Sequence, residues 1–194
     1  MSTLPEPFQR FAEWFELAKK SVATDPNAMT MSSVGPDGRP SSRVVLLKGF
    51  DERGFVFYTN LESRKGRELR AHPFAALCFH WKELERQVRI EGPVRLVPDD
   101  EADAYFASRP RGSQLGAWAS KQSGPLPSRE QLEEKVAELD RQYQGQPVPR
   151  PAHWSGFLVV PDRIEFWTSR ISRLYDRELW LLQNGTWNMG LLYP

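Results

Sequence analysis

Sulfur and imidazole are scarce in this chain: one cysteine, Cys78, and three histidines, His72, His80 and His153, among 194 residues. A single thiol cannot build an internal disulfide framework, and the histidines stand too far apart for ligand spacing, so no metal site is expected. Cys78, inside the apolar stretch Ala75 to Phe79, reads as a buried core thiol. His72 reads as a side chain interacting with a helix end. Glycine-rich nucleotide signatures are missing as well. No Gly-x-Gly-x-x-Gly follows a strand, and there is no Walker-type phosphate loop and no Gly-x-Ser-x-Gly elbow. Rossmann, P-loop and hydrolase readings therefore drop out. Nor does one sign of charge dominate: 26 Lys plus Arg against 25 Asp plus Glu leave a net charge of +1. Total charge thus argues for no polyanion such as DNA, and any anion site must be local. No apolar run is long enough for a signal peptide or a membrane span, and a cytoplasmic protein is expected.

Aromatic residues are plentiful, with 7 Trp, 11 Phe and 5 Tyr. They suit either a well-filled barrel or a surface that stacks on flat ligands. Phe8, Phe11, Phe15 and Ala18 recur at helical spacing, which predicts an amphipathic helix from about Pro7 to Val22. From Ala28 the period changes to that of strands. Ala28 to Val34 and Ser41 to Phe50 flank the turn Gly35-Pro36-Asp37-Gly38 and predict a hairpin. Further strands are expected at Phe55 to Asn60, Phe74 to Trp81 and Arg86 to Val97, with a short helix from Ser63 to about Ala71. Acidic Asp99 and Asp100 open a helix to about Ser108, and Ser113 is read as the cap of another through Trp118. Ser128 with Gln131 has capping-box spacing ahead of the stripe Leu132, Val136, Leu139 and Tyr143. Phe157 to Val160, Ile164 to Trp167 and Leu179 to Gln183 read as short strands, and Asn184-Gly185 is a strong hairpin signal before Thr186 to Leu192. No linker divides the chain, so one domain spanning 1–194 is expected: opening helix 1–25, main barrel strands 26–98, helical insertion 99–145 and C-terminal strands 155–194. The fold class expected is α+β, a mostly antiparallel β-barrel of six to eight strands with flanking helices.

Chemistry is suggested by where cations sit. Ser63-Arg64-Lys65-Gly66 puts two of them in the first turn of a helix, where the dipole favours acids. A bound phosphate would explain this, since backbone N–H groups, dipole and side chains would converge on it; a solvated surface turn is the plainer alternative. Arg109-Pro110-Arg111-Gly112-Ser113 repeats the arrangement. Tyr105, four residues before Arg109, would share its helix face, so phenol, guanidinium and hydroxyl could close on a second anion. The alternative is an arginine pair bonded to carbonyls and surface acids. Arg43 and Lys48 bound an apolar run, and their offset of five would put them on opposite faces of a regular strand.

These segments resemble the pyridoxine/pyridoxamine 5'-phosphate oxidase family. The resemblance rests on Arg43 to Lys48 (RVVLLK), Phe57 to Asn60, Ser63 to Lys65, Glu85 to Val88, Tyr105 to Gln114 (YFASRPRGSQ), Gly116 to Trp118, Ser120 to Ser123, Glu165 to Trp167 and Arg173 to Arg177, in family order through nearly the whole chain. It implies the FMN-binding split-barrel type of fold, a homodimer with FMN sites at the subunit interface, and oxidation of pyridoxine or pyridoxamine 5'-phosphate to pyridoxal 5'-phosphate. O2 would be the acceptor and H2O2 a product. Carried over by position, Arg43, Arg64, Lys65 and Ser123 would hold the flavin phosphate. The strand Val44, Val45, Leu46, Leu47 and Lys48, with Tyr58, Thr59, Gln87, Gln122, Trp167 and Arg177, would complete the FMN pocket. Lys48, Tyr105, Arg109 and Ser113 would grip the substrate phosphate, and Arg173 and Tyr175 would lie against its ring as the catalytic pair.

Three departures stand out. Tyr175 occupies a position where the family usually has histidine, and a phenol cannot charge at neutral pH as imidazole can. Leu191 stands where a basic residue often closes the family's C-terminal motif. The N-terminal extension of many members is short here, so a lid built from it is not expected. The competing readings are a split-barrel flavin enzyme with another substrate, such as a phenazine-pathway oxidase or a deazaflavin-dependent reductase, and a non-catalytic FMN- or pyridoxal-phosphate-binding protein.

Overall fold

The structure, a computed structural model, describes residues 4–194; the first three residues of the predicted opening segment lie outside the described residues. Helix α1 (Glu6–Ser21) forms where the apolar residues recur, with Pro7 in its first turn and Lys19 and Lys20 in its last. Proline there loses no helical N–H, and lysines suit the negative end of the dipole. Its apolar stripe is fully used: Phe8, Phe11, Trp14, Phe15 and Ala18 are all buried. Phe11 lies 4.9 Å from both Phe50 and Phe55 and 5.2 Å from Phe79, edge-on or tilted, as aromatic quadrupoles prefer.

The helix packs across a ten-stranded antiparallel sheet, more strands than the six to eight expected. The hairpin of β1 (Ala28–Val34) and β2 (Pro40–Leu46) pairs in full register, from Ala28 opposite Leu46 to Val34 opposite Pro40. The predicted strand from Ser41 to Phe50 is broken, however. It stops at Leu46, and a separate β3 (Gly49–Asp51) folds back on β4 (Gly54–Asn60). Leu47 drops into the core at 4% exposure, while the Lys48 N–H bonds to the Val56 carbonyl, so the chain turns a barrel corner there. Helix α2 (Arg64–Ala71) follows, then β5 (Phe74–Trp81) and β6 (Arg86–Leu96).

Strand β6 organises the barrel because it is the branch point of the sheet, pairing with β5, β7 and β8. Arg86 to Glu91 pair with β8 (Arg163–Thr168), and Val94 to Leu96 pair with β7 (Trp154–Val159), which returns to β4. At the branch a Cβ on Gly92 would come 2.1 Å from the Val160 carbonyl oxygen, so only glycine allows the backbones to meet. Strands β9 (Asp176–Gln183) and β10 (Thr186–Leu191) close the far edge through the Asn184-Gly185 turn, both residues at positive φ. Between β6 and β7 run helices α3 (Asp99–Ser108), α4 (Arg111–Ala119) and α5 (Arg129–Gln142), the last capped by the Ser128 hydroxyl accepting from the Gln131 N–H. This helical insertion forms its own small core of Phe106, Leu115, Leu139, Val148 and Trp154 against the barrel wall. Cys78 is half-buried, and burial pushes its thiol pKa up, in keeping with an inert core group.

Candidate active site

A cavity of about 630 Å³ opens where the helical insertion meets the barrel. Among its lining residues are Leu46, Lys48, Tyr58, Thr59, Tyr105, Arg109, Ser113 and Gln122, so eight predicted site residues from six parts of the chain come together. The predicted substrate-phosphate quartet is complete within it.

One wall is an aromatic stack. Tyr105 from α3 lies 4.0 Å from Tyr58 of β4 with planes 16° apart, and Tyr58 lies 5.2 Å from Trp154 of β7 with planes 8° apart. Gly156, directly opposite Tyr58 in the strand register, makes room: a Cβ there would sit 2.7 Å from the Tyr58 ring. Burial, reinforced by the nearby Glu101 and Tyr105, pushes the Tyr58 pKa up to about 12, so it remains a neutral phenol.

Arg109 enters from the same side, though not on a helix face as predicted. Residues before proline avoid helical backbone, so Pro110 ends α3 at Ser108 and leaves Arg109 extended as the C-cap, with ψ of 149°. Its guanidinium nevertheless remains near Tyr105, lying 4.7 Å over the Trp154 ring and 5.5 Å over Phe106. Burial lowers its pKa, with Tyr105 opposing, and its Nη1 is buried without a hydrogen-bond partner. Among the described residues no carboxylate forms a salt bridge with it, which is unusual for a guanidinium that is only partly exposed. Ser113 is not the cap of α4 either. Pro110, with extended ψ of 139°, is itself the N-cap, so α4 begins at Arg111 and Ser113 falls within the first turn, lining the cavity. The second arginine of the motif points away: Arg111 bonds Asp140 at 2.8 Å and the carbonyls of Tyr143 and Gln146, tying α4 to α5.

The other cationic cluster lies at the start of α2, where Ser63 accepts from the Gly66 N–H and no acid occupies the first turn. It contains a carboxylate that sequence reading missed. Glu68, 4% exposed, accepts from the hydroxyls of Ser33 (2.6 Å) and Ser41 (2.7 Å) and from Arg43 (3.0 Å) and Arg64 (2.8 Å). Burial opposes its ionisation, but the four donors prevail and hold its pKa down to about 2. Lys65 donates to Gln122 (2.9 Å) and Thr59 (3.3 Å), joining this cluster to the cavity. Burial and the neighbouring Arg43 lower its pKa. Three cations thus surround one carboxylate, leaving an excess of positive charge.

The opposite-face argument for Arg43 and Lys48 fails because β2 ends between them and strand alternation does not carry across Leu47. They still serve different places, Arg43 meeting Glu68 and Lys48 the cavity. Along the same run Val44 is 66% exposed, Val45 packs against the core, Leu46 lines the cavity and the Leu47 side chain is in the core.

A third group lies apart from the cavity. Gln87, Trp167 and Arg177 are aligned across β6, β8 and β9, and Tyr175 packs 4.6 Å from Trp167. Arg177 is bound to the buried Glu165 at 2.7 Å, which raises its pKa. Arg173 is exposed, and both it and Ser172 hold positive φ, 61° and 59°. None of these five predicted residues lines the cavity in a single chain. Ser123, also at positive φ (69°), lines a neighbouring groove that shares Gln122 with the cavity.

Glu68 had a readable signal, its spacing of four from Arg64. Trp154 had none, because it is brought to Arg109 only by β7 packing beneath α3.

Comparison with known proteins adds independent findings. Residues 16–143 match the family model described as pyridoxamine 5'-phosphate oxidase, and residues 154–194 match that of the pyridoxine 5'-phosphate oxidase C-terminal dimerisation region. The chain is 67% identical over 190 residues to a pyridoxine/pyridoxamine 5'-phosphate oxidase of Myxococcus xanthus strain DK1622, covering 98% of this chain and 92% of that protein. It is 59% identical to one of Gluconobacter oxydans, covering 97% and 94%. Among solved structures, PhzG from Burkholderia lata 383, in complex with tetrahydrophenazine-1-carboxylic acid, superposes with a TM-score of 0.92 at 32% identity, covering 97% of this chain and 93% of that one. A pyridoxamine 5'-phosphate oxidase-related, FMN-binding protein of Nostoc punctiforme shares the fold, with a TM-score of 0.79 at 17% identity and full coverage of both chains.

Proposed function

The chain belongs to the pyridoxine/pyridoxamine 5'-phosphate oxidase family, and from that premise we propose that it is an FMN-dependent oxidoreductase converting pyridoxine or pyridoxamine 5'-phosphate to pyridoxal 5'-phosphate. The observation that carries the substrate reading is Arg109: a half-buried guanidinium without a carboxylate, beside Lys48, Tyr105 and Ser113 in a cavity of a size for small ligands. That quartet suits the phosphate of a small ring compound through charge-assisted hydrogen bonds. A relative acting on an unphosphorylated ring would have no use for all four groups, which favours this substrate over a phenazine-type one.

The residues also fit FMN. Arg64 and Lys65 in the first turn of α2, with Arg43 of β2 beside them and offset only by Glu68, would form a cradle of net charge near +2 for its phosphate dianion. With FMN held by Arg43, Arg64 and Lys65, the site would have the two-electron redox chemistry needed to move a hydride equivalent and a proton from the substrate C4' group to O2, which leaves as H2O2. The chain's own work is placement. Lys48, Tyr105, Arg109 and Ser113 would fix the substrate phosphate, and the hydrogen bonds among Thr59, Lys65 and Gln122 tie the α2 cluster to that cavity, which would orient substrate relative to cofactor. Gln87, Trp167, Arg173, Tyr175 and Arg177 would complete the pocket from the second subunit. Their position outside the single-chain cavity supports this, as do the C-terminal dimerisation region and the exposed Ile171, Leu174, Met189 and Leu191 within it. We read the chain as one domain, since β6 and β7 bind the helical insertion to the barrel on both sides.

Anaerobic addition of pyridoxine 5'-phosphate to the FMN-loaded protein tests the proposal: the flavin absorbance should bleach and return on admission of air. Protein that binds FMN yet stays yellow would indicate a binding protein. Bleaching by a reduced phenazine precursor but not by the phosphorylated vitamer would transfer the assignment to the phenazine-type reading.

A further inference from the structure

The two cationic clusters solve the same electrostatic problem differently. Both must keep guanidinium groups partly out of water with their N–H donors ready for a phosphate, and desolvation penalises the uncompensated charge. At α2 a carboxylate, Glu68, stabilises Arg43 and Arg64, and it occupies some of their donors in doing so. At Arg109 no carboxylate among the described residues plays that part, yet the group is half-buried and its Nη1 is unpartnered.

What lies under Arg109 is the indole of Trp154, at 4.7 Å, with the Phe106 ring at 5.5 Å. A π-face attracts a cation without accepting in-plane N–H hydrogen bonds, so the planar fork stays free at its edge. Trp154 is itself held firmly. It is 5% exposed, stacked on Tyr58 and met edge-on by Phe106 at 5.0 Å. Its backbone N–H donates to the Pro151 carbonyl (2.9 Å), and its backbone carbonyl accepts from Arg150 (2.9 Å). The same Arg150 bonds Asp99 and Asp103 of α3, the helix that carries Tyr105 and ends at Arg109.

We propose that Trp154 is a positioning residue for anion recognition: its indole face replaces a carboxylate counter-ion beneath Arg109, orienting the guanidinium while leaving its donors to a phosphorylated ligand. The proposal rests on the reading of the cavity as a substrate-phosphate site. It differs from that reading in assigning the recognition of phosphate partly to a residue that need not touch it.

The test is a double-mutant cycle on the FMN-loaded protein: Trp154→Leu and Trp154→Phe, each alone and combined with Arg109→Ala. Affinity for inorganic phosphate is measured by calorimetry, and KM and kcat are measured with pyridoxine 5'-phosphate. Trp154→Leu should weaken phosphate binding and raise KM about three- to thirty-fold, the span of a partly desolvated cation–π contact, with the loss falling on KM rather than kcat. Trp154→Phe should recover part of it. In the Arg109→Ala background neither substitution should weaken phosphate further, whereas a merely structural tryptophan would cause the same loss there. Persistence of the full effect without Arg109, equal losses for Leu and Phe, or an equal loss of FMN affinity would overturn the proposal. Should Trp154→Leu fail to fold, the Phe pair completes the cycle, and no coupling in that pair would count against it. A wild-type protein that binds phosphate with this coupling but never oxidises the vitamer would uphold Trp154 while sinking the oxidase reading.

Discussion

Replacing Glu68 by glutamine keeps the side-chain shape and removes one charge from the centre of the α2 cluster. In the native protein that carboxylate accepts from two serine hydroxyls and two guanidinium groups, and an amide offers only one oxygen to the same four donors. A carboxyl that falls from 4.5 to about 2 on folding contributes on the order of 3 kcal/mol at neutral pH. Removing one partner of a buried ion pair costs roughly 3 to 5 kcal/mol, here toward the low end because the Arg64 side chain is 61% exposed. We therefore expect Glu68→Gln to lose about 3 kcal/mol at pH 7 in urea unfolding of the flavin-free protein, followed by tryptophan fluorescence. The sign of the pH dependence is determined by the depressed native pKa. The wild-type advantage is complete above 4.5, shrinks as pH falls below it, and is lost as pH passes through about 2. A deficit below about 1 kcal/mol at pH 7, or a gap that does not narrow between pH 5 and pH 2.5, would refute the assignment of Glu68 as the charged hub.

Arg109→Ala should weaken pyridoxine 5'-phosphate by about 1.5 to 3 kcal/mol, read as KM, while leaving FMN affinity from fluorescence titration nearly unchanged; equal weakening of both would contradict two separate anion sites. Phe11→Ala, at a ring with no exposed surface packed against five other aromatic side chains, should cost about 3 to 5 kcal/mol in denaturant unfolding. Gly92→Ala forces a Cβ against the Val160 carbonyl and should cost at least about 1 to 3 kcal/mol, so a variant as stable as wild type would mean that the barrel branch relaxes freely. Leu191→Asp places a charge on an exposed apolar position of the dimerisation region and should shift sedimentation toward the monomer.

Most elements were legible along the chain because their signals are local. The α1 stripe, the Ser128 cap, the hairpin at Asn184-Gly185 and the paired β1 and β2 depend on side-chain period, hydroxyl spacing and turn chemistry within a few residues. The positive clusters at Arg64-Lys65 and Arg109 were legible for the same reason, since cations at helix starts and around a proline stand out against the dipole rule. Local rules misplaced Ser113, Arg109 and Lys48 by a turn or a face, each time where a proline or a barrel corner redirected the backbone.

What only the tertiary structure decided is which charges remain free. Arg43, Arg64, Arg109 and Arg111 look alike in sequence, yet two share a buried carboxylate, one staples two helices and one lies unpaired on an indole. A guanidinium's availability depends on partners brought in from strands and helices far along the chain, and long-range packing, unlike helical period or turn chemistry, leaves no mark at fixed spacing. The sequence by itself therefore determined most of the elements and the two clusters of cations; packing determined the barrel corners and which guanidinium donors stay unpaired.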